Sequence, residues 1–338
     1  MKTKVAINGF GRIGRIAFRI AYDRDDIELV AINDLTDTKT LAYLLKHDSN
    51  YGNYHHDVSF DDSHLTIDNN AIPVYAEKDP SLLPWRDLDV DVVIESTGHF
   101  TTSDTASAHL KAGAKKVIIS APSKSDDVKT IVIGANDDEL KDSGNIISNA
   151  SCTTNSVAAV MDILDREFGI EKALLTTVHS DTASQTLTDS PAKDLREGRA
   201  APHNIVPTTT GAAIAVAKTV HSLVGKFDGL SVRVPTPVVS LSDVTMLLKQ
   251  NVSKEQINDC LTKASQDPYY QGIIAVSDEP LVSSDYLGNS NSGIVDLELT
   301  NVVAGNLAKV VVWYDNEWGY SNRLVELVAD TGKLLKGE

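Results

Sequence analysis

Cys152 stands inside the stretch Ser148-Asn149-Ala150-Ser151-Cys152-Thr153-Thr154-Asn155, with hydroxyl and amide side chains on both sides. Free cysteines are most often buried and inert, but here each polar neighbour would need a buried partner if the sulfur were core filler. Directly after it, Val157, Val160, Met161, Leu164 and Phe168 recur at helical spacing, which places the sulfur at or near a helix N-terminus. Unpaired N–H groups and the positive end of the helix dipole favour thiolate there and can hold an oxyanion. The chemistry this suggests is nucleophilic attack by sulfur. His179, at the end of the run Leu174-Leu175-Thr176-Thr177-Val178, is the matching base, since an imidazole beside a cysteine stabilises thiolate and shuttles protons near neutral pH. A histidine at a strand end serves equally well as a structural hydrogen-bonder, and sequence spacing leaves its distance from the sulfur open.

A second group of residues points to a nucleotide. Val5-Ala6-Ile7 reads as a buried strand, Asn8-Gly9-Phe10-Gly11-Arg12-Ile13-Gly14 turns into a helix carrying Ile16, Ala17, Ile20 and Ala21, and Leu29–Ile32 is the next strand. Asp34 follows 34 − 14 = 20 positions after the last glycine of this GxGxxG pattern. In that context Gly9 makes a tight turn, Gly11 lets the backbone approach a pyrophosphate at the helix N-terminus, and Gly14 lets helix and strand pack closely. Asp34 would accept from the adenosine ribose and repel a 2′-phosphate, which favours NAD over NADP.

These residues need a frame. The chain has 338 residues, enough for two domains. Runs at Val90–Ile94, Val117–Ile119 and Ile131–Ile133 alternate with helical segments such as Thr105–Ala114, the pattern of a doubly wound, largely parallel Rossmann-type sheet. Ser96-Thr97-Gly98 and Ser120-Ala121-Pro122 fall at strand ends, where such sheets bind ligands. Beyond Cys152 the strands lengthen and alternate, as in Val232 and Val234 against Ser231 and Arg233, which predicts an α+β catalytic domain with a mostly antiparallel sheet. Ser180–His203 reads as a long polar loop of functional or interface type. Ser321 is a possible N-cap for a C-terminal helix presenting Leu324, Leu327 and Val328 on one face. We therefore expect an α/β protein with a dinucleotide domain over residues 1–151, a catalytic domain over 152–316, and a helix over 317–338 packing back onto the first.

Lysine and arginine number 31 against 47 acidic residues, a formal charge of −16 that opposes nucleic acid and anionic membrane surfaces. No run approaches a membrane span and the N-terminus lacks a signal-peptide core. Two distant cysteines, Cys152 and Cys260, suggest neither disulfides nor a zinc site and suit a reducing cytoplasm. No metal is expected. His55-His56 lies in a polar loop without carboxylates at ligand spacing and reads as solvated surface.

Asn8–Arg15, Ser96-Thr97-Gly98, Ser148–Asn155, Val178-His179, Pro207–Ala213, Arg233–Pro237 and Trp313–Ser321 together closely resemble the phosphorylating glyceraldehyde-3-phosphate dehydrogenase family, nearly end to end. The resemblance implies that Cys152 attacks the aldehyde of glyceraldehyde 3-phosphate to give a hemithioacetal. His179 then takes the hydroxyl proton as hydride passes to NAD, and inorganic phosphate releases 1,3-bisphosphoglycerate from a thioester. It further implies Thr182 and Arg233 for the substrate phosphate. Ser151, Thr153, Thr210 and Gly211, with Arg199 nearby, would hold the attacking phosphate. For the cofactor it adds Arg12, Ile13, Lys78 and Ser120, and Asn316 on the carboxamide, beside Thr97 at its strand end. The assembly it implies is a homotetramer whose Ser180–His203 loop reaches a neighbour.

Some positions depart from the family pattern. Glu197 replaces one of two adjacent arginines, Ile214 a lysine, Ser156 a second cysteine, and Ser190 an apolar residue common in NAD-specific members. Two other readings stay open: erythrose-4-phosphate dehydrogenase, against which the Thr208-Thr209-Thr210-Gly211 turn speaks, and a non-catalytic NAD-binding protein.

Overall fold

A computed structural model describes residues 1–337. The chain divides into two compact units, one made of residues 1–131, 138–150 and the segment from Ser321 on, the other of 132–137 and 151–320. In the first unit the apolar runs become β1 (Thr3–Asn8), β2 (Ile27–Asn33), β8 (Val92–Glu95), β9 (Lys116–Ile119), β10 (Lys129–Thr130) and β11 (Ile146–Ser148). Between them lie α1 (Arg12–Tyr22), α2 (Thr38–Lys46), α3 (Ser103–Ala112) and a small β3 (His47–Asp48) and β4 (Gly52–Asn53) ladder. An antiparallel meander, β5 (Val58–Phe60), β6 (His64–Ile67) and β7 (Asn70–Tyr75), adds to the sheet edge. The nine strands run β10-β11-β9-β8-β1-β2-β7-β6-β5, parallel from β10 through β7.

Continuous burial explains the parallel part: Val5, Ala6, Ile7, Val92, Val93, Ile94, Val117, Ile118 and Ile119 are all 0 % exposed, as expected of strands covered on both faces. On one side Trp85 fills a cluster with Ala6, Ala31, Val90, Val93 and Ala112. Strand order reverses between β1 and β8, so the crevice beyond their carboxyl ends is the topological switch point where such sheets take ligands.

The second unit starts with α4 (Cys152–Phe168) and β12 (Ile170–Ser180). It continues with β13 (Val206–Thr209), α5 (Ala212–Thr219), β14 (Phe227–Val234), β15 (Ser240–Leu248), α6 (Lys254–Ser265), β16 (Ile274–Ser277), β17 (Gly293–Val303) and β18 (Leu307–Tyr314). The seven-stranded order is β13-β14-β12-β15-β18-β17-β16, antiparallel except at β12–β14 and β16–β17. β15 alternates buried and half-buried positions along its length, the signature of a sheet with one packed face. On that sheet α4 packs against β15, β17 and β18.

Three local expectations need correction. The run Ile131–Ile133 is not strand: β10 stops at Thr130, and the N–H of Val132 donates to the Asn136 side chain at 2.9 Å instead of a ladder. Ser321 is not a helix cap. The last helix, α7 (Trp318–Leu335), begins earlier, because Asp315 Oδ1 accepts from the N–H groups of Glu317 at 3.0 Å and Trp318 at 2.8 Å. Ser321 is thus an interior helical residue with no exposure. Finally, His55 and His56 do have carboxylates beside them: Asp23 and Asp68 come from distant positions. Among the described residues no helix is long and apolar enough to cross a membrane.

The tightest backbone approach lies in the first turn after β1. Gly9 has φ +92°, and a Cβ on Gly14 would lie 2.1 Å from the Gly9 carbonyl oxygen, which cannot move away. Gly14→Ala is expected to destabilise the protein by about 2 kcal/mol or more, the range of overpacking and strain. Urea denaturation checks this, and an unchanged midpoint would contradict the packing account.

Candidate active site

Ser151 is the N-cap of α4, its Oγ accepting the Thr154 N–H at 3.1 Å, so Cys152 is the first helical residue. The residue before the cap, Ala150, sits at φ 56°, a left-handed position that a non-glycine residue adopts at some cost. β12 runs back along the unit and ends at His179-Ser180, which brings His179 Nε2 to 3.4 Å from Cys152 Sγ. The two groups are 27 residues apart in sequence.

The orientation of the imidazole follows from its other nitrogen. His179 Nδ1 is 2.7 Å from the Ser180 carbonyl oxygen, which can only accept, so Nδ1 carries the proton. Nε2 therefore faces the sulfur as a lone pair, ready to take the thiol proton. His179 is buried, with its ring edge-on to Tyr314 at 6.1 Å. Tyr314 is fixed in turn by hydrogen bonds of 2.8 Å with both Thr153 Oγ1 and Thr177 Oγ1.

Burial pushes the Cys152 thiol up, against the pull of the Arg233 guanidinium. It also pushes His179 down to about 4, helped by the same arginine. Each charge alone is disfavoured here, and moving one proton from Sγ to Nε2 creates both at once in mutual contact, so the two groups titrate as a pair. Arg233 reaches this place because its strand is in parallel register with β12, His179 opposite Arg233. Its Nη1 donates to the Ser180 carbonyl at 3.4 Å while its Nε is buried without a hydrogen-bond partner. A buried guanidinium edge left open in this way suits a phosphate or carboxylate oxygen.

Other predicted positions in this unit vary. Asn316 is buried, its Oδ1 accepting from Ser180 Oγ at 3.0 Å and Ser240 Oγ at 3.2 Å, which turns the Nδ2 end elsewhere. Thr210 Oγ1 accepts the Ala212 N–H at 3.2 Å, and Gly211 is the N-cap of α5. Thr153 has its hydroxyl 2.8 Å from that of Tyr314. Thr182 Oγ1 lies 2.9 Å from Ser184 Oγ. Arg199 is not drawn inward: it is 60 % exposed and pairs with Asp189 at 3.0 Å in its own loop. Glu197 is not loose either, since its Oε1 accepts from Thr208 Oγ1 at 2.8 Å. Ser156 is buried and donates back to the Thr153 carbonyl at 2.8 Å.

In the first unit the glycine turn has a ligand-binding form. Gly11 caps α1 without any side-chain bond to the helix's first N–H groups, and space beside its Cα is open. Asp34 Oδ2 accepts the Phe10 N–H at 2.7 Å and Oδ1 accepts that of Thr36 at 2.9 Å, which holds the carboxylate at the end of β2. Ile13 is half-buried and Lys78 is exposed. Arg12 forks onto Asp48 rather than reaching toward the turn.

Sequence reasoning missed the carboxylate behind Thr97. Glu95 Oε1 accepts the Thr97 N–H at 2.8 Å and also its hydroxyl. Its Oε2 meets Asn8 and His109 Nε2, the latter at 3.0 Å. Trp85 Nε1, which can only donate, bonds His109 Nδ1 at 3.0 Å, so the His109 proton is on Nε2 and points at Glu95. This buried chain fixes the turn after β8, with Ser120 N–H on the Glu95 carbonyl at 2.9 Å.

Residues 3–103 match the family model "Glyceraldehyde 3-phosphate dehydrogenase, NAD binding domain", and residues 151–316 match its C-terminal domain. The chain is 54% identical over 325 residues to glyceraldehyde-3-phosphate dehydrogenase of Thermotoga maritima, covering 96% of this chain and 97% of the relative. It is 51% identical over 330 residues to that of Geobacillus stearothermophilus, with 97% and 98% covered. Glyceraldehyde-3-phosphate dehydrogenase 1 of Bacillus subtilis is 50% identical over 335 residues, with 98% and 99% covered. With both domain models matched in order and half of all positions shared along nearly the whole length, this chain belongs to the glyceraldehyde-3-phosphate dehydrogenase family.

Proposed function

We propose that the protein is an NAD-dependent glycolytic dehydrogenase that converts glyceraldehyde 3-phosphate and inorganic phosphate to 1,3-bisphosphoglycerate. The observation that carries this reading is the 3.4 Å approach of Cys152 Sγ to a histidine nitrogen whose lone pair is directed at it by the Ser180 carbonyl. Sγ attacks the aldehyde carbon while Nε2 of His179 takes the thiol proton and passes it to the carbonyl oxygen, giving a hemithioacetal. The same Nε2 then withdraws that hydroxyl proton as the carbon is oxidised to a thioester. Bound NAD supplies the hydride acceptor. Phosphate attacks the thioester, the C–S bond breaks, and His179 returns its proton to the departing sulfur. N–H groups at the start of α4 are suited to the negative oxygen that develops at each attack.

The residues of the glycine turn fit this cofactor. The uncapped N-terminus of α1 suits a pyrophosphate, Gly9 and Gly14 leave no room for side chains, and Asp34 keeps lone pairs for ribose hydroxyls while disfavouring a 2′-phosphate. Ile13, Lys78, Thr97 and Ser120 would flank it, with Asn316 Nδ2 for the carboxamide. Arg233 and Thr182 are assigned to the substrate phosphate, and Ser151, Thr153, Thr210 and Gly211 to the attacking one. Arg12 and Arg199 would have to leave Asp48 and Asp189 to join them.

We place the enzyme in the cytoplasm as a homotetramer. The long loop after β12 supports an interface, because Leu187 at 78 %, Leu195 at 85 % and Ile205 at 70 % exposure present large apolar side chains from one segment. Light scattering should read a mass of four chains; a stable monomer would contradict this assignment.

Purified protein is expected to reduce NAD with glyceraldehyde 3-phosphate only when phosphate is present, faster than with erythrose 4-phosphate. Cys152→Ala should lower turnover by about four orders of magnitude or more. Binding of NAD without turnover of either aldehyde would leave only a nucleotide-binding protein.

A further inference from the structure

We propose that Asp23, His55 and His56 form a site for a divalent transition-metal ion of the zinc type, with Asp68 orienting one of its histidines. Together with Asp68 the residues come from three separate places in the first unit. Asp23 is the C-cap of α1, the two histidines precede β5, and Asp68 is in the turn between β6 and β7, at φ 47°. The donor atoms of Asp23, His55 and His56 lie within 4.8 Å of one another. Asp23 presents one oxygen to each imidazole: Oδ1 is 2.6 Å from His56 Nε2 and Oδ2 is 3.5 Å from His55 Nε2. With zinc–ligand bonds of about 2.0–2.1 Å, two ligands of a tetrahedral ion stand about 3.3 Å apart. The observed separations bracket that value.

The second carboxylate decides the tautomer. His56 Nδ1 is in close contact with Asp68 Oδ2, and Asp68 Oδ1 is held by the Asp57 N–H at 2.9 Å. A proton on Nδ1 satisfies Asp68 and leaves Nε2 as a lone pair aimed at a carboxylate oxygen. At 2.6 Å a proton bridges the two atoms in the ion-free protein, and a metal replaces it when they part to about 3.3 Å. The carboxylate–histidine arrangement behind the donor nitrogen is the one that orients metal-bound imidazoles. Tyr22 and Tyr54 place ring edges against His56 at 5.0 and 4.9 Å, which limits rotation of its ring. His55 is 67 % and Asp23 45 % exposed, so water can complete the coordination. The negative end of the α1 dipole adds to the attraction for a cation. Such an ion would tie the end of α1 to the antiparallel edge of the sheet.

Zinc also binds thiols, so the test uses Cys152→Ala/Cys260→Ser protein. Calorimetry with zinc sulfate and visible absorption with cobalt chloride should show one ion per chain. His55→Ala or His56→Ala is expected to weaken binding by about 100-fold, and Asp68→Asn by about 10-fold. In the otherwise unchanged enzyme His55→Ala should keep wild-type turnover, as expected of a surface change that leaves the fold intact. No binding at millimolar zinc, or binding that survives both histidine substitutions, would overturn the proposal and leave a proton-bridged ion-pair cluster only.

Discussion

A carbonyl oxygen one residue from His179 decides what the Cys152–His179 pair can do. The Ser180 carbonyl holds the proton of His179 on Nδ1, and that places a lone pair, not a hydrogen, toward Cys152 Sγ. Were the tautomer reversed, the imidazole would offer sulfur a donor and could not take its proton in the first step. The main-chain geometry that places this oxygen comes from the last residues of β12, which are braced by Ser180 N–H on Ser240 Oγ at 3.1 Å and Ser180 Oγ on Asn316. Burial then sharpens the effect. A low-dielectric site penalises either charge alone, so the proton moves within the pair rather than to water, and Arg233 sets the local potential for both partners.

The first unit shows a related economy in its turn after β8. A single buried carboxylate, Glu95, orders the Thr97 backbone and hydroxyl on one oxygen and is itself held by Asn8 and a Trp85-directed His109 on the other. A buried polar network of this kind is tolerable only when every member is satisfied, and here it ties Asn8, Glu95 and Thr97, at the carboxyl ends of β1 and β8, to His109 of α3 and to Trp85. Rigidity at the switch point of the sheet thus rests on Asn8, Glu95, His109 and Trp85, none of which is given a ligand in the proposed mechanism.

How much of this was legible depended on range. Ser151, Cys152 and the apolar series after it could be read as a capped helix because capping and amphipathicity are local, and the glycine turn because its three glycines answer to steric limits within one βαβ unit. Both sheets followed from whether strands were uniformly apolar or alternating. The role of Asp315 at the start of α7 leaves no sign in the periodicity, since the apolar stripe begins late while the helix starts at Trp318. The meander at 58–75 has short strands with half-exposed positions, too little periodicity to separate from loop. Glu95, His109 and Trp85, like Asp23 and Asp68 around His56, are brought together only by tertiary contacts across 12 to 33 positions, for which no sequence spacing gives a sign. The family resemblance named the positions around the phosphates, but not that Arg12, Arg199 and Thr153 are already engaged with other side chains.

The shared proton between Cys152 and His179 is best tested by the pH dependence of Cys152 alkylation with iodoacetamide, read by mass spectrometry in the wild type and in His179→Asn. With His179 pushed down to about 4, its imidazole stays neutral and able to accept the thiol proton as pH falls from 8 toward that value. The asparagine variant lacks that acceptor, and burial raises its thiol, so its reaction needs a higher pH. The account predicts a midpoint at least about one pH unit higher in the variant, and alkylation slower by about tenfold near pH 7. Coincident profiles for the two proteins would contradict it.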